Sequence, residues 1–130
     1  MNSFRLLTAA ATLALVVAVQ SQASAVDRYD GVAITNRTGV TVTYSVRWGD
    51  GPWQTGSVRP GGVITHYWSY KKPNVRDSPR LQIRFDADLS GGTYIRTHSL
   101  RKYPSSNTNP RNFRRYAFRR ESGQQRFISL

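Results

Sequence analysis

From Val40 to Trp48 apolar and polar side chains alternate. Val40, Val42, Tyr44, Val46 and Trp48 take one parity, and Thr41, Thr43, Ser45 and Arg47 take the other. Period two over nine residues predicts a half-buried strand. Large apolar groups in that register cannot lie on one face of a helix, whose period is 3.6. A second clear alternation sets Leu81, Ile83 and Phe85 against Gln82, Arg84 and Asp86.

Weaker versions of the pattern fill the rest of the chain. Val32 to Asn36 predicts a first strand, and Asn36-Arg37-Thr38-Gly39 a turn into the long one. Gly49-Asp50-Gly51-Pro52 is a strong turn signal, so Trp53 to Val58 should return as a hairpin. Pro60-Gly61-Gly62 predicts a corner before the β-forming run Val63 to Tyr70. Lys71 to Arg80 and Pro104 to Pro110 read as loops. Further strands are expected near Thr93 to Lys102, around Tyr116 and Phe118, and at Phe127 to Leu130. The result is an all-β chain, a single antiparallel β-sandwich of about seven to eight strands. A partly open OB-like barrel is the alternative.

The first 25 residues stand apart from this pattern. Arg5, an apolar run of 14 residues from Leu6 to Val19, and Ala23-Ser24-Ala25 follow the order of a secretory signal peptide. The run is shorter than the ~20 residues of a membrane-spanning helix. Residues 26–130 would then form one exported domain, secreted or periplasmic, with cleavage near Ala25. The chain has no cysteine. Its core must therefore hold without disulfides, and thiol catalysis, cysteine-ligated zinc and lipid attachment through cysteine are excluded.

Charge adds a second layer. The chain carries 19 Lys and Arg against 7 Asp and Glu. The segment 101–130 holds eight of those cations and Glu121 as its one acid. Lys102, Arg111, Arg114, Arg115, Arg119 and Arg120 are the candidate anion-binding residues, because guanidinium groups grip phosphate, sulfate or carboxylate in bidentate fashion. In a strand centred on Ala117, Tyr116 and Phe118 would face the core, with Arg115 and Arg119 facing water. Charged side chains on an edge strand also block stray strand pairing, which is the plainer account of the same residues.

Aromatic residues give a second candidate set. Trp53, Trp68 and Tyr70 could stack on sugar rings or bases. Ile64, His66, Trp68 and Tyr70 share one parity and Val63, Thr65, Tyr67 and Ser69 the other, so one face or its edge should stay partly open. Asp86-Ala87-Asp88-Leu89-Ser90-Gly91 imitates the opening of a calcium loop, but its twelfth position is Thr97, where such a loop carries a bidentate Glu. A strand end followed by a glycine turn accounts for it, and no metal or other cofactor is expected. His66, His98 and Glu121 supply the residue types of a small ribonuclease without showing that they meet. Asn36-Arg37-Thr38 matches the N-glycosylation sequon and also suits a turn.

A set of turn and strand positions resembles the β domain of the von Hippel–Lindau tumour suppressor. It comprises Asn36-Arg37-Thr38, Val46 and Trp48 ahead of Asp50-Gly51, Pro60-Gly61, His66 with Ser69-Tyr70, and Leu81 to Ala87, within Asn36–Leu100. The resemblance implies a β-sandwich. It does not carry over the ligand, since that family's hydroxyproline-reading tyrosine would fall near Thr55 and its helical partner-binding part has no counterpart in 104–130. The whole chain is also similar to small exported bacterial β-sandwich proteins of unknown function.

Together these features predict a secreted, non-catalytic binding module that contacts an anionic polysaccharide, cell-surface polymer or nucleic acid through an Arg-rich face. The alternative is a protein-interaction or structural module whose binding ignores salt. A small secreted ribonuclease is a remote third.

Overall fold

The computed structural model describes residues 28–70 and 77–130. The expected signal segment and residues 71–76 of the expected loop lie outside them. The described chain forms β1 (Tyr29–Asn36), β2 (Val42–Trp48), β3 (Gln54–Val58), β4 (Val63–Ser69), β5 (Leu81–Asp86), β6 (Ile95–Leu100), β7 (Tyr103–Ser105), β8 (Arg114–Glu121) and β9 (Gln124–Ser129). A 3-10 turn at Pro110–Asn112 precedes β8. No helix among the described residues is long and apolar enough to cross a membrane.

Two sheets pack face to face. One has the order β4-β1-β8-β9, with β7 also pairing β1, and the other has the order β3-β2-β5-β6. Period two places alternate residues of each strand between the sheets. Val42, Tyr44 and Val46 of β2 meet Leu81, Ile83 and Phe85 of β5, and Val32, Ile34, Tyr116 and Phe118 close the core from the first sheet. Each large side chain removed from water there contributes about 1.5–3 kcal/mol. Phe118 sits at the centre, fully buried, with its ring against Tyr44, Phe85 and Phe127.

β1 does not show a clean alternation, because Gly31, Val32, Ala33 and Ile34 are all buried. The strand is flanked on both sides, by β4 along one edge and by β7 and then β8 along the other. Its outward residues Gly31 and Ala33 are small and buried. Gly31 lies directly under Tyr67, where an added Cβ would come within 2.6 Å of the His66 carbonyl oxygen and 2.8 Å of Tyr67 Cβ. Tyr67 in turn stacks on Phe113 at the end of the 3-10 turn.

The two corners that carry the chain between sheets meet at Asn36. Its amide Nδ2 donates to Val40 O at 2.7 Å and to Val58 O at 2.8 Å. Its Oδ1 accepts from Thr38 N at 2.8 Å and from Thr38 Oγ1 at 2.6 Å. The main chain of Asn36 bonds Gly61 and Gly62 of the next corner. That corner is a type II turn, with Pro60 at its second position and Gly61 at φ 72° where a side chain is disfavoured. Every donor and acceptor of the Asn36 side chain is used, and the residue is 0 % exposed. The sequon residue is therefore a buried fastener in the folded chain.

Three features depart from the sequence pattern. Val40 is exposed and lies ahead of β2, because Thr38 and Asn36 hold its carbonyl in the corner. The segment Tyr103–Ser105, which overlaps the start of the expected Pro104–Pro110 loop, bonds to the first half of β1 and makes a ninth strand among the described residues. β8 runs parallel to β1, the one parallel pair among the described strands.

Candidate anion-binding surfaces

β8 divides the expected arginines between two faces. Arg115 and Arg119 point outward with Ala117, while Tyr116 and Phe118 enter the core. Arg114 and Arg120 share the inward parity, at opposite ends of the strand, about 20 Å apart at ~3.3 Å per residue. The six cations thus do not make one contiguous face.

Several of them are already engaged. Arg114 Nη1 donates to Tyr103 Oη at 2.7 Å, and its Nη2 donates to Ser129 Oγ. The guanidinium also lies over the Tyr103 and Tyr116 rings, and its Nε is buried without a hydrogen-bond partner. Arg114 clamps β7, β8 and β9 at one end of the sandwich. Arg119 stands opposite Arg126 across the β8–β9 pair, and the Glu121 carboxylate bridges the two at 3.1 and 3.3 Å. Like charges directly opposite repel, so Glu121 relieves that pair. Lys102 Nζ donates to Pro79 O at 2.7 Å and lies over the Trp48 ring. Burial pushes its ammonium down, against the pull of Asp30. Arg111, Arg115 and Arg120 are exposed.

The three expected aromatic residues separate as well. Trp68 packs on Trp48 at 5.6 Å and closes the end of the core beside Lys102. Tyr70 is half-buried next to it, where burial and then the Asp30 carboxylate raise its phenol above the ordinary value. Trp53 lies on the opposite sheet, outside the core. The guanidinium of Arg84 sits over its indole at 4.2 Å and that of Arg47 at 4.7 Å. Arg47 is further held by Nε donating to Gln82 Oε1 at 2.7 Å. Arg47 and Arg84 were visible as outward positions of their strands. That they share one indole depends on β2 and β5 being neighbours, which no local pattern reports.

The two histidines lie toward opposite seams of the sandwich. His66, on the edge strand β4, shares a 2.7 Å hydrogen bond with Tyr44 Oη. Burial lowers its imidazole pKa and raises that of the Tyr44 phenol to about 12. His98, on the edge strand β6, stacks on Phe85 and touches Phe127. Burial, aided by Arg96, lowers its pKa too. Tyr44, Phe118 and Phe85 stand between the two imidazoles in successive ring contacts of 5.2–5.8 Å. His98 lines a cavity of about 170 Å³ at the β6–β9 seam with Arg96, Gln124, Gln125 and Phe127.

The carboxylates serve the backbone more than the cations. Asp86 accepts from the amides of Asp88 and Tyr94, and Asp88 accepts from Ser90 N and Oγ, which holds the segment resembling a calcium loop as a turn. Asp30 accepts from Ser78 Oγ. Among the described residues, Glu121 is the one carboxylate in an ion pair. No family model, curated protein or solved structure matches this chain.

Proposed function

We propose that this chain is a secreted, non-catalytic module that binds an anionic polymer. The observation that carries the reading is the disposition of charge. Cations outnumber acids by 19 to 7, and among the described residues one carboxylate, Glu121, neutralises cations directly. The acids at Asp30, Asp86 and Asp88 are spent on hydroxyl and amide donors instead. A surface so arranged attracts a polyanion from a distance, with an affinity that falls steeply as salt rises. Arg111, Arg115 and Arg120, exposed around β8, contribute to that field. The separation of the two histidines supports a binding role over acid–base chemistry, which needs both groups on one reacting phosphate.

The test is binding of the purified protein to sulfated, carboxylated and phosphate-bearing polymers at two salt concentrations. Binding that weakens with salt is expected, and replacing Arg115 and Arg120 by Ser should flatten the salt dependence. Absence of binding to all polymers at low salt overturns the reading.

A second reading, a protein-interaction module, is favoured by one feature. Val63 and Tyr67 are exposed together on the outer face of β4. A partner docked there would be held by apolar contact and would ignore salt.

A further inference from the structure

The outer face of the β3-β2-β5-β6 sheet is rich in hydroxyl and guanidinium groups. β2 presents Thr43, Ser45 and Arg47 there, β3 presents Thr55 and Ser57, and β5 presents Gln82, Arg84 and Asp86. Seven of these eight side chains are uncharged or cationic hydrogen-bonding groups of the kind that meet hydroxyl and acid oxygens. Thr43, Ser45, Thr55, Arg84, Asp86 and Ile95 surround a shallow depression of about 390 Å³. Ser45 and Thr55 face each other across the β2–β3 pair, with their hydroxyl oxygens 3.4 Å apart. Thr43 lies two residues along β2, about 7 Å from Ser45 at ~3.4 Å per residue, the scale of one sugar ring.

At the rim of this depression the cations are held in place. Arg84 and Arg47 are both anchored on the Trp53 indole, and Arg47 is also tied to Gln82. A guanidinium held by its flat face keeps its N–H edges for other partners. Fixing it beforehand lowers the entropic cost of gripping a bidentate acid group.

Resting on the anionic-polymer reading, we infer that this sheet face is the docking surface for an acidic polysaccharide. Arg84 and Arg47 grip carboxylate or sulfate groups, and Thr43, Ser45, Thr55 and Asp86 hold neighbouring hydroxyls. Two features set this ligand apart from a nucleic acid. Trp53 is occupied by guanidinium groups, so it is not an open platform for a base. Asp86, whose Oδ1 is engaged by the turn, retains an oxygen that accepts from hydroxyls, which a polysaccharide presents along its length and duplex DNA does not.

The test uses polygalacturonate, dextran sulfate, neutral dextran and duplex DNA as probes, with tryptophan fluorescence and calorimetry as readouts. Arg84→Gln is compared with Arg37→Gln, which removes the same charge from the exposed corner after β1. The expected result is a loss of tenfold or more for Arg84→Gln on polygalacturonate or dextran sulfate, the better probe naming the acid group, and under threefold for Arg37→Gln. A Thr43→Val, Thr55→Val pair, which leaves charge untouched, should also lose several-fold, with circular dichroism verifying the fold. Equal losses for Arg84→Gln and Arg37→Gln, with salt-sensitive binding kept, overturn the assignment of this face while the anionic-polymer reading stands. DNA bound more tightly than both acidic polysaccharides also overturns it. No binding of any polyanion removes both readings.

Discussion

Replacing Asn36 by Ala tests the claim that one buried amide fastens both inter-sheet corners. The wild-type side chain makes four hydrogen bonds of 2.6–2.8 Å and is fully buried. Each such bond contributes about 1 kcal/mol net, and stranded buried partners add a desolvation penalty of about 1–3 kcal/mol each. The Val58 carbonyl is the partner with least access to water. The expected loss is about 5–7 kcal/mol, a large part of the ~5–15 kcal/mol that holds a domain of this size. The assay is urea unfolding followed by tryptophan fluorescence, with the midpoint falling and the slope unchanged. Asn36→Asp sharpens the test. Its carboxyl would face the Val40 and Val58 carbonyl oxygens, so burial and those dipoles would raise its folded pKa above the unfolded value of about 3.9. The unfolded state then binds fewer protons than the folded state in the window between the two values. The deficit of the variant is therefore smallest below about pH 4 and grows as pH rises through the folded pKa. A loss under ~1 kcal/mol for the Ala variant, or a deficit for the Asp variant that does not change with pH, would refute the account.

Three further outcomes follow from other contacts. Phe118→Ala removes the ring that Tyr44, Phe85 and Phe127 all touch. It should cost about 3–5 kcal/mol by the same unfolding assay. Glu121→Gln frees Arg119 and Arg126 on an exposed hairpin. Stability should change by less than ~1 kcal/mol, while polyanion affinity at low salt should rise. His66 and His98 both have folded pKa values below the ordinary imidazole value. Stability from their burial is complete above about pH 6.5 and is lost as pH falls from there through the folded values. A His66→Gln variant should unfold with a shallower acid dependence between pH 7 and 5, and an unchanged slope would count against that assignment.

The strands with clean alternation were legible because their burial is one-sided. β2 and β5 each turn one parity to the core and the other to water, so period two appears in the residues themselves. β1 hid its length because it is covered on both faces, and small residues under Tyr67 and Phe113 do not look like a strand interior. β7 was hidden because three residues paired to a distant strand carry no period. The roles of Asn36, Thr38 and the Pro60-Gly61 turn are legible only once Asn36 is seen to bond both corners.

Composition, charge, the absence of cysteine and the choice of an all-β fold were determined by the sequence alone. They depend on how many residues of each kind there are and on how neighbours along the chain alternate. Which cations lie together and which are engaged was decided by tertiary structure. Arg114 and Lys102 look like free cations in the sequence, but Tyr103 reaches Arg114 from β7 and Pro79 reaches Lys102 from the loop before β5, while the β8–β9 pairing sets Arg126 beside Arg119 on one Glu121 carboxylate. Arg47 and Arg84 stand 37 positions apart by their numbering and look unremarked, yet the β2–β5 pairing brings them over one indole. A strand pattern tells each residue which side of its own sheet it faces. Which strand lies beside it is set by long-range pairing, and that pairing brings Arg47 and Arg84 together.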